Sequence, residues 1–224
     1  MNRQEKNVEF LVPSGRSAKE YSIPVFKKSW SREEILSLFP ESSITLLDVG
    51  AGDFPFRARA QDKCITLDFD QSANPDILCD LTQELDIEAE TIDFVYMSHV
   101  VEHFYPKDRD LLIERIFRCM KKGALLFIRV PHWSSLQATG WEHHTFYGTN
   151  GVTSLTHGRN PNLPRMELIS AGVWMSDLSG FSRPRSIFQV AMERFLNSSF
   201  RMTDSYFCYL VGGISEVQFL LRKP

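Results

Sequence analysis

The residues best suited to binding chemistry surround a glycine-containing turn near position 50. An apolar run over 44–49 leads into Gly50-Ala51-Gly52, and a second apolar run over 64–67 ends on Asp68. This order matches the layout of a nucleoside site, in which a strand, a glycine turn and a helix are followed by a second strand that ends on an acid. The glycines let the ligand approach the backbone, and the carboxylate can bind both ribose hydroxyls. Many tight turns contain Gly-x-Gly, so only the turn and the acid together predict a nucleoside ligand.

A second group of chemically capable residues follows the apolar run 93–97. Residues 99–103 read His-Val-Val-Glu-His, the order in which inverted zinc proteases place two metal-binding histidines on one helical face. Here the motif leaves a predicted buried strand, whereas a protease would set it within a helix, and this argues against proteolysis. A divalent metal stays open as an alternative, held by His99, Glu102 and His103 with His143 or His144.

Apolar strands are predicted to position both groups. Continuously apolar segments, typical of strands covered by helices on both faces, lie at 44–49, 64–68, 76–79, 93–97 and 124–130. Two further strands are predicted at 166–174 and 215–221. This alternation of strands and helices indicates an α/β protein.

Three segments are predicted to be helical. A capping box at Ser31 and Glu34 starts a short helix before the first strand. Helical spacing predicts a second helix that ends at 121–123 with two lysines and a glycine; its apolar stripe indicates core packing rather than a cofactor box. The stripe consists of Leu112, Ile113, Ile116, Phe117 and Met120. A third helix is predicted around 185–196.

Residues 132–164 form a long irregular segment rich in aromatic side chains. Segments of this kind within a compact domain are either functional or disordered, and the aromatic content argues against disorder. Loops beyond strand ends hold substrate contacts in α/β enzymes, so we expect acceptor contacts here. The segment contains Trp133, Trp141, His143, His144, Phe146, Tyr147 and His157. Of these, Trp141, Phe146 and Tyr147 could stack on a sugar or aromatic acceptor, beside His143 and His144.

Composition excludes several classes of protein. The 224 residues have a net charge of −3, which gives no electrostatic reason to expect nucleic acid as a partner. No apolar stretch reaches the ~18 residues of a membrane span, and the charged N-terminus lacks a signal core. The four cysteines show no Cys-x-x-Cys spacing and are expected to be reduced, so we expect a cytoplasmic protein.

Five segments of the chain resemble the class I S-adenosylmethionine-dependent methyltransferases. They are the glycine turn 47–52, the acidic strand end 65–68, the segment 76–81, the strand and turn 92–103, and the helix-turn-strand 121–131. The resemblance covers about residues 44–222 and implies a Rossmann-like, seven-stranded, mostly parallel sheet with helices on both faces and an antiparallel last strand. Segments 98–103, 130–135 and 142–147 are similar to small bacterial methyltransferases associated with polysaccharide biosynthesis.

The resemblance also implies a set of cofactor contacts. By this resemblance, Asp48 would orient the amino-acid portion of the cofactor and Asp68 would bind the ribose. Asp80 and Leu81 would contact the adenine. From the residues alone, Asp48 and Asp80 could instead cap turns, and Asp70 could stand in for Asp68. The predicted cofactor-binding residues are Asp48, Gly50, Ala51, Gly52, Asp68, Phe69, Asp80, Leu81 and Ser98.

Two positions depart from the pattern of the family. Phe54 occupies the position of the third glycine, so the far side of the turn cannot come as close to the methionine portion of the cofactor. Lys122-Gly123-Ala124 replaces Pro-Gly-Gly, a change that a surface turn tolerates.

Methyl transfer is an in-line displacement at an activated sulfonium, so the protein mainly aligns the reactants and excludes water. A hydroxyl acceptor would also need a base, and imidazole suits that role at neutral pH. His103 is the first candidate, because the turn after the fourth strand faces the cofactor methyl in this fold; His99 and His144 come next.

We therefore expect one methyltransferase domain over 1–224, comprising an N-terminal arm and helix (1–43), a cofactor-binding half (44–130), and a substrate loop with the last strands (131–224). It is expected to transfer a methyl group from S-adenosylmethionine to a small-molecule or glycan-precursor acceptor, at oxygen. Three alternatives remain. The first is a catalytically silent cofactor-binding protein, which Phe54 favours, and the second is a metal-assisted 2′-O-methyltransferase. The third is an NAD-dependent enzyme, although Pro55 would then replace the last glycine of Gly-x-Gly-x-x-Gly. The oligomeric state is left open.

Overall fold

A mixed β-sheet forms the centre of the protein. The computed structural model describes residues 26–27, 30–157, 160, 163–175, 187–211 and 213–224. Within these ranges the strands are β1 (Phe26–Lys27), β2 (Thr45–Val49), β3 (Lys63–Asp68), β4 (Ile77–Leu78), β5 (Ile92–Ser98), β6 (Met120–Pro131), β7 (Glu167–Trp174) and β8 (Glu216–Arg222). Their order across the sheet is β1-β7-β8-β6-β5-β2-β3-β4.

The strand directions confirm the predicted topology. Strand β8 runs antiparallel to both of its neighbours, β6 and β7, and the other pairs are parallel. All seven predicted strands are present. The additional strand β1, in which Phe26 pairs with Ser170, consists of two residues, too few to show an alternating pattern in the sequence.

Both faces of the sheet are buried, which explains why its strands are continuously apolar. On one face Leu47 and Val95 pack with the central helix, whereas their neighbours Leu46 and Phe94 pack on the opposite face with the first helix. Successive strand residues point to opposite faces, so two covered faces require apolar residues at every position.

The described helices are α1 (Arg32–Leu36), α2 (Pro106–Cys119), α3 (Thr153–His157), α4 (Ile187–Leu196), α5 (Phe200–Met202) and α6 (Cys208–Leu210), with a π-helical turn at Thr203–Phe207 between the last two. The predicted capping box is confirmed: Glu34 N donates to Ser31 Oγ at 3.2 Å, and Ser31 N donates to Glu34 Oε2 at 3.0 Å. The predicted helix over 185–196 is confirmed from 187; residues 185 and 186 lie outside the described ranges.

The expected helix between the glycine turn and the second strand is absent, because residues 50–62 form turns and irregular backbone. Pro55 lacks an amide hydrogen for a helix interior, and the next amide, Phe56 N, donates to Asp48 Oδ2 at 2.6 Å. The loop is therefore folded back onto β2.

The predicted end of the central helix was also wrong. Helix α2 ends at Cys119, and Met120 already has extended backbone as the first residue of β6, opposite Ile92. Lys121 and Lys122 therefore lie in the strand, as does Gly123, whose φ is +80°. The ion pair between Lys121 Nζ and Asp93, at 2.8 Å, holds this beginning of β6 against β5.

The structure also bears on the expected state of the cysteines and on the expected lack of a membrane span. All four cysteines are free thiols, as predicted. Among the described residues, no helix combines the length and the apolar character that crossing a membrane requires.

Candidate active site at the carboxyl edge of the sheet

The glycine turn joins β2 to the space in front of the sheet. Gly50 N donates to Leu67 O at 2.7 Å, and Gly50 and Gly52 have φ values of +69° and +51°. A Cβ on Gly50 would lie 2.5 Å from Cγ2 of Val100, whereas a Cβ on Gly52 would meet nothing within 4 Å. Sterics thus require glycine at position 50, and the backbone of Gly52 faces open space that a ligand can approach.

Asp68 lies at the end of β3, beside this turn, and is 5% exposed. Its Oδ2 accepts a hydrogen bond from Gly52 N at 2.8 Å, and its Oδ1 accepts one from Asp70 N at 2.9 Å. Since each carboxylate oxygen has two lone pairs, one on each oxygen remains for a diol. The neighbouring Phe69 is 76% exposed and offers an apolar surface. These residues fit a nucleoside cofactor.

Asp48 is 2% exposed, and its observed hydrogen bond closes the loop at Phe56. Burial raises the pKa of this carboxyl to about 6; the Phe56 amide opposes the rise, and the charge of Asp68 adds to it. The turn-capping contact considered for Asp48 is therefore present. A contact with the amino-acid portion of the cofactor stays a prediction.

The two predicted adenine-contacting residues lie beyond β4. Asp80 is exposed and accepts hydrogen bonds from Thr82 N (2.9 Å) and Thr82 Oγ1 (2.8 Å), and these bonds lower the pKa of its carboxyl. Leu81 is 5% exposed and belongs to the core. Asp80 thus caps its own turn, and the adenine contact also stays a prediction.

The segment after β5 is a tight turn. Ser98 is the last residue of the strand, His99 has a φ of +57°, and Val101–His103 form a 3₁₀ turn. The two histidines of the His-x-x-Glu-His motif therefore do not share a face of an α-helix, and the arrangement of an inverted zinc protease is not formed.

His99 is held between two buried carboxylates. Its Nε2 lies 3.0 Å from Glu216 Oε1, and its Nδ1 lies 3.3 Å from Glu102 Oε1. Burial alone would lower the pKa of His99, but the contacts with the two carboxylates and their negative charges outweigh it and raise the pKa to about 9. His99 is therefore an imidazolium at neutral pH, which is unsuited to accept a proton.

Sequence reasoning missed Glu216 and its second partner, Arg129. Both guanidinium–carboxylate hydrogen bonds between them are 2.6 Å long, and they join neighbouring strands 87 positions apart in the chain. Arg129 could have been noticed in the sequence, because it is a charged residue that interrupts the apolar run of β6.

The aromatic segment folds back onto the turn after β5. The backbone amides of His144 and Thr145 donate to Glu102 O at 2.8 and 3.2 Å. This brings the ring of His143 to 4.7 Å from that of His103, at 84°. His144 points elsewhere and stacks on Tyr105 at 4.0 Å. Of the three predicted catalytic histidines, His103 thus lies in a cluster with Glu102 and His143.

A cavity of about 620 Å³ opens beside the glycine turn. Residues 53–57 line it, together with Arg129 and Trp174 from β6 and β7. Trp141 and Phe146 of the aromatic segment are 98% and 62% exposed, so two large aromatic surfaces face solvent. The sequence did not indicate the contribution of Trp174.

Comparison with known proteins shows the family. A family model described as a methyltransferase domain matches residues 27–160, and the chain belongs to this family of S-adenosylmethionine-dependent methyltransferases. The expected enzyme class and its methyl donor are thereby confirmed. No curated protein matches the sequence.

Solved structures share the fold at low identity. A SAM-dependent methyltransferase from Archaeoglobus fulgidus is 16% identical with a TM-score of 0.58, over 86% of this chain and 95% of that one. A phosphoethanolamine N-methyltransferase 2 from Haemonchus contortus, in complex with S-adenosyl-L-methionine, is 16% identical with a TM-score of 0.54, over 86% and 52%. The [4+2]-cyclase SpnF is also 16% identical with a TM-score of 0.54, over 82% and 76%. These likenesses concern the fold alone.

Proposed function

We propose that the protein transfers a methyl group from S-adenosylmethionine to a hydroxyl of a small molecule or glycan precursor. The main support is the placement of Asp68 beside the open backbone of Gly52, at the same edge of the sheet as an imidazole cluster and exposed aromatic rings. In the parallel part of a sheet, strand ends bring such groups together although they are distant in sequence.

In this proposal Asp68 binds the ribose diol with its two remaining lone pairs, while its hydrogen bond to Gly52 N keeps the carboxylate oriented. Phe69 covers one side of the nucleoside, and Ser98 lies at the exit of β5. When bound, S-adenosylmethionine supplies a methyl group on a sulfonium that needs no further activation.

The acceptor is oriented by Trp141 and Phe146, whose flat apolar surfaces suit stacking on a sugar ring. His103 accepts the hydroxyl proton while the acceptor oxygen bonds to the methyl carbon and sulfur keeps the electron pair of the broken bond. The protonated His99 and the stacked His144 are less suited to this step.

The first test is calorimetric titration with S-adenosylhomocysteine. We expect micromolar binding by the wild type and binding about 10–100-fold weaker in Asp68→Asn, the loss expected for a hydrogen bond to a charged group. The amide oxygen can still accept the hydrogen bond from Gly52 N, whereas the amide nitrogen cannot accept the one from Asp70 N. Asp70→Ala, two residues away and exposed, is the matched control and should bind like the wild type.

Wild-type affinity in Asp68→Asn would remove Asp68 as the ribose ligand, and no binding by the folded wild type would refute the proposed function. An acceptor screen with sugar nucleotides follows, in which His103→Ala should lose turnover while it retains S-adenosylhomocysteine binding. Wild-type turnover by His103→Ala would refute its role as base.

A further inference from the structure

The carboxylate of Glu102 is buried without a hydrogen bond. Its side chain is 1% exposed, and neither oxygen has a hydrogen-bond partner among the described residues. The ion pair with His99 Nδ1 at 3.3 Å reaches only one of the two oxygens. Burying a carboxylate is costly unless it is fully paired or coordinates a metal. The second oxygen therefore indicates a cationic ligand.

Two imidazole side chains lie close to this carboxylate. One ligand atom from each of Glu102, His103 and His143 can be chosen such that all three lie within 4.8 Å of one another. Ligand atoms around one ion with bonds of about 2.1 Å are at most about 4.2 Å apart, so small side-chain rotations close the set. Of the two histidines, His103 is exposed and His143 half-buried, which leaves the site accessible from solvent.

We propose that Glu102, His103 and His143 bind one divalent first-row transition-metal ion, such as Zn²⁺ or Mn²⁺. Two imidazole nitrogens and one carboxylate oxygen suit these ions better than Mg²⁺ or Ca²⁺, which prefer oxygen ligands. Three protein ligands leave further coordination positions for water or a substrate oxygen, as in catalytic metal sites.

The surroundings preorganise this set. Backbone hydrogen bonds from 144 and 145 to Glu102 O fix the loop that bears His143, so its position does not depend on the ion. His99, itself bound to Glu216, orients the Glu102 carboxylate as a positioning residue. Such outer partners hold ligands in place in metal sites.

A metal at this position would bind the hydroxyl of the acceptor, and this role, unlike metal binding itself, rests on the proposed function. A coordinated hydroxyl has a lowered pKa. Its proton then leaves to solvent water before the oxygen bonds to the methyl carbon. In this form His103 would be a ligand, and the lowered pKa of the metal-bound hydroxyl would make a separate base unnecessary, because water could accept the proton.

The test is calorimetric titration of the chelator-treated full chain with Zn²⁺, Mn²⁺ and Mg²⁺. We expect one Zn²⁺ per chain at micromolar affinity, and Mg²⁺ at least about tenfold weaker. Glu102→Gln and His143→Ala should each weaken Zn²⁺ binding more than about 100-fold, beyond the effect of an outer partner. His144→Ala is the matched control: it removes the adjacent imidazole, which is stacked on Tyr105, and should bind Zn²⁺ like the wild type.

Absence of stoichiometric Zn²⁺ binding by the wild type, or wild-type affinity in His143→Ala, would overturn the proposal. The second variant alters an accessible loop rather than the core, so it tests the site even if Glu102→Gln unfolds. S-adenosylhomocysteine titration of the same samples keeps the two proposals separate. Metal binding without cofactor binding would refute the proposed function alone, and the reverse would refute the metal site alone.

Discussion

Asp48 gives the sharpest quantitative prediction, because its carboxyl is buried beside the glycine turn at a cost that depends on pH. Burial raises its pKa from an ordinary value of 3.8 to about 6. At about 1.36 kcal/mol per pKa unit, this difference corresponds to about 3 kcal/mol. Because the folded-state pKa is raised, the folded state binds more protons than the unfolded state between these values, and stability falls as pH rises.

The substitution Asp48→Asn should remove this dependence. Its amide oxygen can still accept the hydrogen bond from Phe56 N, but it does not ionise. Below about pH 3 both proteins are neutral at this position and should have similar free energies of unfolding. Above about pH 7 the free energy of unfolding of the variant should exceed that of the wild type by about 3 kcal/mol. This difference should develop mainly between about pH 4 and about pH 6.

The assay is urea unfolding of both proteins from about pH 3 to about pH 8, with the difference in unfolding free energy plotted against pH. Asp70→Asn serves as control, because its carboxyl is exposed and its pKa is lowered by the hydrogen bonds from Ser72. A difference between Asp48→Asn and wild type that stays constant across this range would refute the burial argument. If Asp48 also contacts the cofactor, the stabilised variant should bind S-adenosylhomocysteine more weakly.

Two further predictions concern stability. Gly50→Ala should lower the unfolding free energy by about 2–4 kcal/mol in urea unfolding, because the new Cβ would clash with Val100 and the backbone is left-handed there. Gly52→Ala has the same backbone strain but open space around the new Cβ, so it should lower the unfolding free energy by only about 1–2 kcal/mol. Equal losses in the two variants would contradict the steric argument. Lys223→Met should lower the unfolding free energy by about 1.5–3 kcal/mol in the same assay, since the buried ammonium donates to Phe117 O in α2 and to Met120 O at the start of β6. Unchanged stability would show that water replaces it.

The strands could be predicted from sequence because a strand that is buried on both faces of the sheet has apolar residues at most of its positions. The strands from β2 to β6 are largely apolar, and Asp68 could be placed because it ends an apolar run. The helix expected after Gly52 failed because a local contact, Phe56 N to Asp48, outweighs any helical preference of the short loop.

Contacts between distant segments could not be predicted. The pairing of Arg129 with Glu216 depends on which strand lies beside β6, and a single sequence does not show this. Likewise, the choice of His143 rather than His144 as the neighbour of His103 depends on the two backbone hydrogen bonds at Glu102. The histidines could be identified as candidates, but their grouping required the fold.

The position of β8 has a consequence for synthesis on the ribosome. This strand lies between β6 and β7, so residues 167–174 have no route into the main sheet until residues 216–222 have been made. During elongation β6 therefore presents an open edge, of the kind that pairs wrongly with other chains. The same late strand brings Glu216 to His99. We therefore expect a nascent chain to form its glycine turn early and to complete the candidate site around His99 only when β8 enters the sheet.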